Sequence, residues 1–178
     1  MTVFAQCFTI TVGIEGVFSD DASDPGNWTG GAVNVGVLKG TKYGVSAKAY
    51  PTLDIENLTL ADVMTIYQRD YWAKLSCDQM PPQMACLMFD AGVNNGVPEA
   101  SRLLQQALGV AVDGDIGPQT LSALAVQTTY PKTSTPLASE FMARRIVLMA
   151  GLPEWSEDGL GWARRLAVLP YKALTVTP

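Results

Sequence analysis

PPQMACLMFDAGVNNG, residues 81–96, opens on two prolines, places Met84, Leu87 and Met88 at helical spacing, and ends on a glycine. Proline costs little at the first helical position, because its missing N–H would have had no partner there. Glycine just beyond the last turn is a stop signal. The stretch therefore predicts a helix with an apolar face. Asp90 falls directly behind the apolar run. It either bonds a partner in the core or acts directly in a cleft.

Helical signals continue on both sides. In NLTLADVMTIYQRDYWAKL (57–75), Thr59 can cap a helix, and Asp62 three residues on completes an imperfect capping box. PEASRLLQQALGV (98–110) reads as a helix ending at Gly109, and VDGDIGPQTLSALAV (112–126) as a turn that launches another at Pro118. Residues 130–136, rich in Pro, Thr and Ser, read as a hinge or loop. LASEFMARRIVLMAGL (137–152) and DGLGWARRLAVL (158–169) are the last two helices, each with an Arg-Arg pair that either solvates its helix or touches an anionic partner. Near the start, Phe4, Phe8 and Val12 lie four apart and favour a helix over 3–14, stopped by Gly16 with Glu15 in its last turn. Residues 17–50 are loop-rich. Their β-prone fragments in VNVGVLKGTKYGVSAKAY (33–50), broken by glycines, suggest a small hairpin. The expected fold class is mainly α.

The 178 residues are 48% hydrophobic, enough for one well-formed core. Net charge is -5; residues 1–130 hold 6 basic and 13 acidic side chains, the remainder 6 and 4. An acidic front argues against a nucleic-acid grip. No histidine is present, which excludes His-based triads and the zinc proteases. Cys7, Cys77 and Cys86 form no CxxC and read as core thiols. No apolar run reaches membrane-spanning length, and no basic region precedes the apolar first 14 residues, so neither stable membrane insertion nor an ordinary secretory signal is expected.

Chemistry concentrates in GIEGVFSDDASDPGNWTGG, residues 13–31. A carboxylate at a helix C-terminus among apolar neighbours has its pKa raised by desolvation and by the helix dipole. That suits Glu15 as a general acid for glycosidic cleavage, unless it is a plain surface helix end. Such cleavage also uses a second carboxylate, and Asp20, Asp21 and Asp24 are near in sequence. Neither DDASDPG nor DGDIGP (113–118) has EF-hand spacing, so no metal is expected. Trp28 and Tyr43 either stack on a sugar or pin the loop. Asn94 and Asn95 either bond N-acetyl groups or cap their helix. Nucleotide motifs and GxSxG are absent, and no cofactor is expected.

The order of short motifs adds to this. Glu15-Gly16, Asp24-Pro25-Gly26, Lys42-Tyr43-Gly44-Val45-Ser46, Ile66-Tyr67, Tyr71-Trp72, Phe89-Asp90, Val93-Asn94, Gly96, Leu104-Gln105, Asp113-Gly114, Ile116-Gly117-Pro118, Thr120, Gly161-Trp162 and Arg165 follow in turn. The set, over roughly residues 4–165, resembles the bacterial and phage N-acetylmuramidases of glycoside hydrolase family 108. The resemblance implies a lysozyme-like, mainly α-helical fold with a small loop or β-hairpin insertion. It implies a catalytic region over 1–109 and a peptidoglycan-binding-like helical region over 110–178, packed as one unit. It also implies cleavage of the β-1,4 bond between N-acetylmuramic acid and N-acetylglucosamine, with the family's catalytic glutamate at Glu15.

Two features depart from the family pattern. Val17 stands where the family has a second glycine, and 27–41 is expanded. On this reading Glu15 protonates the leaving oxygen, and Asp24, then Asp20 or Asp21, supplies the second carboxylate. Trp28, Tyr43 and Asn94 contact substrate, while Asp90 is structural. The expected partner is the peptidoglycan strand, met by a monomeric enzyme that is either a phage lysin, made in the host cytoplasm and released by a holin to act on the wall in the periplasm or outside, or a bacterial enzyme exported by an unusual route. The alternatives are a noncatalytic peptidoglycan-binding protein on the same fold and a lytic transglycosylase.

Overall fold

A computed structural model describes residues 1–13, 17–129 and 131–178, with the backbone alone for 131–135. Glu15 lies outside the described residues. The chain forms two compact units, Val12–Tyr67 and Met1–Thr11 with Gln68–Pro178. Residues on both sides of Gly109 belong to the second of these. Among the described residues the fold is predominantly helical, with one two-stranded hairpin.

The larger unit contains α1 (Val3–Thr11), α3 (Pro82–Asn95), α4 (Val97–Leu108), α5 (Pro118–Thr128), α6 (Pro131–Ala150) and α7 (Trp155–Ala173). The axis of this unit is α3, which packs on α1, α4, α6 and α7. Every residue from Met84 to Gly92 is buried, not only the face marked by Met84, Leu87 and Met88. A helix buried all round needs apolar or small residues on every side, and MACLMFDAG supplies them apart from Asp90. Phe4, Phe8, Trp72 and Phe89 form an aromatic cluster against it, with ring centroids 5.4–6.0 Å apart and mostly edge-on. The Trp72 indole donates to Asp78 Oδ1 at 2.8 Å.

Two helix boundaries differ from expectation. The first helix ends at Thr11, and Gly13 is left-handed at φ 84°. Thr9, Ile10, Thr11 and Val12 are β-branched in succession, which weakens the helix there. Residues 131–136 are helical backbone, not a hinge. Pro131 is the first residue of α6, where proline is tolerated, and Pro136 comes early enough to disturb only the first turns.

The smaller unit is mostly loop, ending in α2 (Leu60–Tyr67). Its hairpin pairs β1 (Thr41–Lys42) with β2 (Val45–Ser46) through Tyr43 at φ 50° and Gly44 at φ 76°. Two left-handed residues make the tight turn whose twist suits a hairpin. A Cβ on Gly44 would lie 2.5 Å from the Tyr67 hydroxyl, which donates to the Tyr43 carbonyl at 3.0 Å. At the start of α2 the capping box is reciprocal: Asp62 N–H donates to Thr59 Oγ1 at 3.2 Å, and Thr59 N–H to Asp62 Oδ2 at 3.0 Å.

Candidate active site

The acid loop of the smaller unit is built around Asn27, which is fully buried. Its Nδ2 donates to the Asp21 carbonyl at 3.0 Å, and its Oδ1 accepts from Thr41 Oγ1 at 2.7 Å. Its own carbonyl accepts from the Lys39 and Gly40 amides. The Asn27 side chain thereby ties the acid loop to the hairpin, and its backbone carbonyl holds Lys39 and Gly40 of the expansion. Gly40 sits at φ 81°, where a Cβ would meet the Ser19 carbonyl at 2.5 Å. Asn27 was not a predicted site residue; its place behind Asp24-Pro25-Gly26 was the only trace in the sequence.

The three acids of this loop are exposed and differ in their bonds. Asp21 accepts from the Ser23 amide at 2.9 Å and the Ser23 hydroxyl at 2.7 Å. Those bonds favour its ionised form and hold its pKa below the usual carboxylate value. Asp24 accepts from the Gly26 amide at 2.8 Å and caps the short helical turn Pro25–Asn27. Asp20 makes no side-chain hydrogen bond or ion pair among the described residues. It lines a cavity of about 390 Å³ with Phe18, Leu38, Lys39, Asp54 and Glu56.

Trp28 is half-buried, and its indole N–H donates to the Ala22 carbonyl at 2.9 Å, which pins the ring to the loop. Tyr43 is half-buried at the hairpin turn. Val17 is 85% exposed, so its side chain is not crowded there. The expanded segment folds back on itself, with Trp28 opposite Leu38 and Thr29 N–H donating to Val37 O at 3.0 Å.

Asp90 and Asn94 lie on α3, in the larger unit. Asn94 is exposed, but its Nδ2 returns to its own helix, donating to the Asp90 carbonyl at 2.7 Å. Asp90 is 1% exposed and carries two guanidinium groups. Arg145 Nη1 pairs with Oδ1 at 2.8 Å, and Arg165 Nη2 and Nε reach Oδ2 at 2.5 and 3.2 Å. Arg145 also donates to Asn95 Oδ1 at 2.8 Å, and Arg165 to the Thr11 carbonyl at 3.0 Å. Burial draws the Arg145 pKa down, and the Asp90 charge opposes that. One carboxylate thus joins α3, α6, α7 and the end of α1. Arg145 is fully buried, so the first Arg pair does not simply solvate its helix. Its signal was a cation on the same face as the apolar positions Phe141, Met142 and Met149.

The DGDIGP turn is held from within. Gln105, 1% exposed, donates to Asp113 Oδ1 at 2.6 Å and the Asp115 carbonyl at 2.8 Å, and accepts from the Gly114 amide at 2.8 Å. Among the described residues no group of acids and cysteines is placed to hold a metal ion, and no helix is long and apolar enough to cross a membrane.

Comparison with known proteins joins the two halves of this picture. A search of curated proteins found no match. The family model described as glycosyl hydrolase 108 matches residues 8–96, and a second, described as a predicted peptidoglycan domain, matches residues 99–166. A solved structure titled "Structure of Brucella abortus SagA" is similar over 97% of this chain and 94% of its own, at 25% identity and a TM-score of 0.78. The first match takes in half of the chain, including the acid loop, the hairpin and α3, so the chain belongs to the glycosyl hydrolase 108 family and is a muramidase-type hydrolase joined to a peptidoglycan domain.

Proposed function

We propose that this enzyme hydrolyses the β-1,4 bond between N-acetylmuramic acid and N-acetylglucosamine, with Glu15 as the general acid. The carrying observation is that the hydrolase match spans residues 8–96, and so includes both Glu15 and the three-acid loop behind it. Glu15 gives its proton to the leaving glycosidic oxygen as positive charge builds on the sugar. A second carboxylate stabilises that charge or activates water. Asp20 is preferred to Asp24 and Asp21, because the latter two already accept bonds from amides of their own turns. Tyr43 and Trp28 contact sugar faces. The enzyme works as a monomer, made in the cytoplasm and released to the wall by a holin-type partner.

The test is mass spectrometry of fragments released from purified peptidoglycan. Reducing muramic-acid ends support the proposal. 1,6-Anhydro ends, lighter by one water, would assign the chain to transglycosylation. Wall binding without release would assign it to noncatalytic recognition.

A further inference from the structure

Arg165 is 35% exposed, and its exposed side lines a cavity of about 330 Å³ in the larger unit. Arg164 and Lys172 line it too, and Asp90 is the only acid there among the described residues. Asp90 is already shared between Arg145 and Arg165, so it cannot neutralise the others. Arg164 and Lys172 form no ion pair or side-chain hydrogen bond among the described residues. Arg165 spends Nε and Nη2 on Asp90 and Thr11, leaving Nη1 without a bond among the described residues. The cavity therefore concentrates uncompensated cations on a chain of net charge -5. The other walls are aliphatic: Ile10 from α1, and Val168 and Leu169 from α7. Lys172 lies in the last turn of α7, where it also answers the helix dipole, but the two arginines lie about two turns earlier.

We propose that this cavity binds a carboxylate of the peptide stem carried by the glycan strand. This rests on peptidoglycan being the substrate. The cations pair with the carboxylate. The aliphatic wall takes the methyl and methylene groups of the stem, and this favours a peptide over a polyol phosphate, which offers no apolar face. Arg165 thus has two roles, closing the Asp90 cluster inward and reading the stem outward.

The experiment titrates the full-length protein with a free tetrapeptide stem, followed by NMR of α7 amides. This probe has no glycosidic bond, so binding is read independently of catalysis. The double substitution Arg164→Gln and Lys172→Gln changes exposed or unpartnered groups and spares the Asp90 cluster; circular dichroism confirms its fold. The expected result is shifts at residues 164–172 and affinity weakened on the order of tenfold in the double variant. The stem with its carboxylates amidated should bind wild type as weakly. Equal binding of free and amidated stems, an unchanged affinity in the folded double variant, or tighter binding of glycerol phosphate would each overturn the proposal. Failure of Glu15 as the acid would appear as lysis by Glu15→Gln and would leave this titration unaffected.

Discussion

Each of the two units is stabilised within itself by different physics. The larger one is apolar: a helix buried on all sides, an aromatic cluster, and a single buried acid saturated by two arginines. The smaller one has a small apolar core that includes Val45, Ile55, Val63 and Ile66, but its acid loop is held by polar bonds: it folds around a buried asparagine tied to the two-strand hairpin. Burial is non-directional and tolerates modest change, whereas side-chain bonds to backbone fix geometry and fail abruptly when one is lost. The division suits an enzyme whose stability lies in one region and whose acid loop lies in another.

The largest expected effect breaks the first region. Asp90→Ala leaves two guanidinium groups without their carboxylate and should cost about 3–5 kcal/mol in chemical denaturation. Arg165→Gln leaves the Asp90–Arg145 pair intact and should cost less, about 1.5–3 kcal/mol. Equal losses would show that the cluster does not depend on the shared carboxylate. Asn27→Ala sharpens the contrast. It should cost about 1–3 kcal/mol, as the Asp21 carbonyl and the Thr41 hydroxyl lose their partner. Activity should fall more than stability does, and hydrogen exchange should rise over residues 19–41 while α3 stays protected.

Within the acid loop, amide substitutions keep a hydrogen-bond acceptor and remove the charge. Asp20→Asn should lower kcat by about 10²-fold or more. Asp24→Asn and Asp21→Asn should change it only a few-fold, since each keeps its turn. A larger fall in Asp24→Asn would move the second carboxylate there.

The smallest effect concerns acid. The pKa values of Asp21, Asp62 and Asp113 are held down by bonds to Ser23, to Thr59, and to the Asp115 amide and Gln105 respectively. A carboxylate with a depressed folded-state pKa stabilises the fold above its unfolded value, about 3.9 for Asp, and loses that contribution as pH falls through the folded value. Melting temperature should therefore be flat from pH 5 to 7 with respect to these groups and decline below about pH 4, with a shallower decline in Asp62→Asn.

Local chemistry was the most legible part of the sequence. Thr59 and Asp62 announced their capping box, Pro118 its helix, and Tyr43-Gly44 sits at a turn among β-prone residues. Long-range pairing was not legible. Nothing beside Arg145 in sequence names Asp90 as its partner, 55 residues away. The apolar face of α3 was visible, but its burial on every side depends on four other helices. The end of α1 was misjudged because spacing favoured Val12 while β-branching opposed it. In the site, the acids and aromatics were visible as types, while Asn27 was not, because a buried asparagine and a turn asparagine look alike in sequence.

The central claim is most directly tested by assaying wild type and Glu15→Gln side by side on purified peptidoglycan, with products read by mass spectrometry and folding checked by circular dichroism. The account predicts reducing muramic-acid ends from wild type and a rate lower by about 10²–10⁴-fold in a folded Glu15→Gln. Undiminished release of the same products by the variant would contradict it.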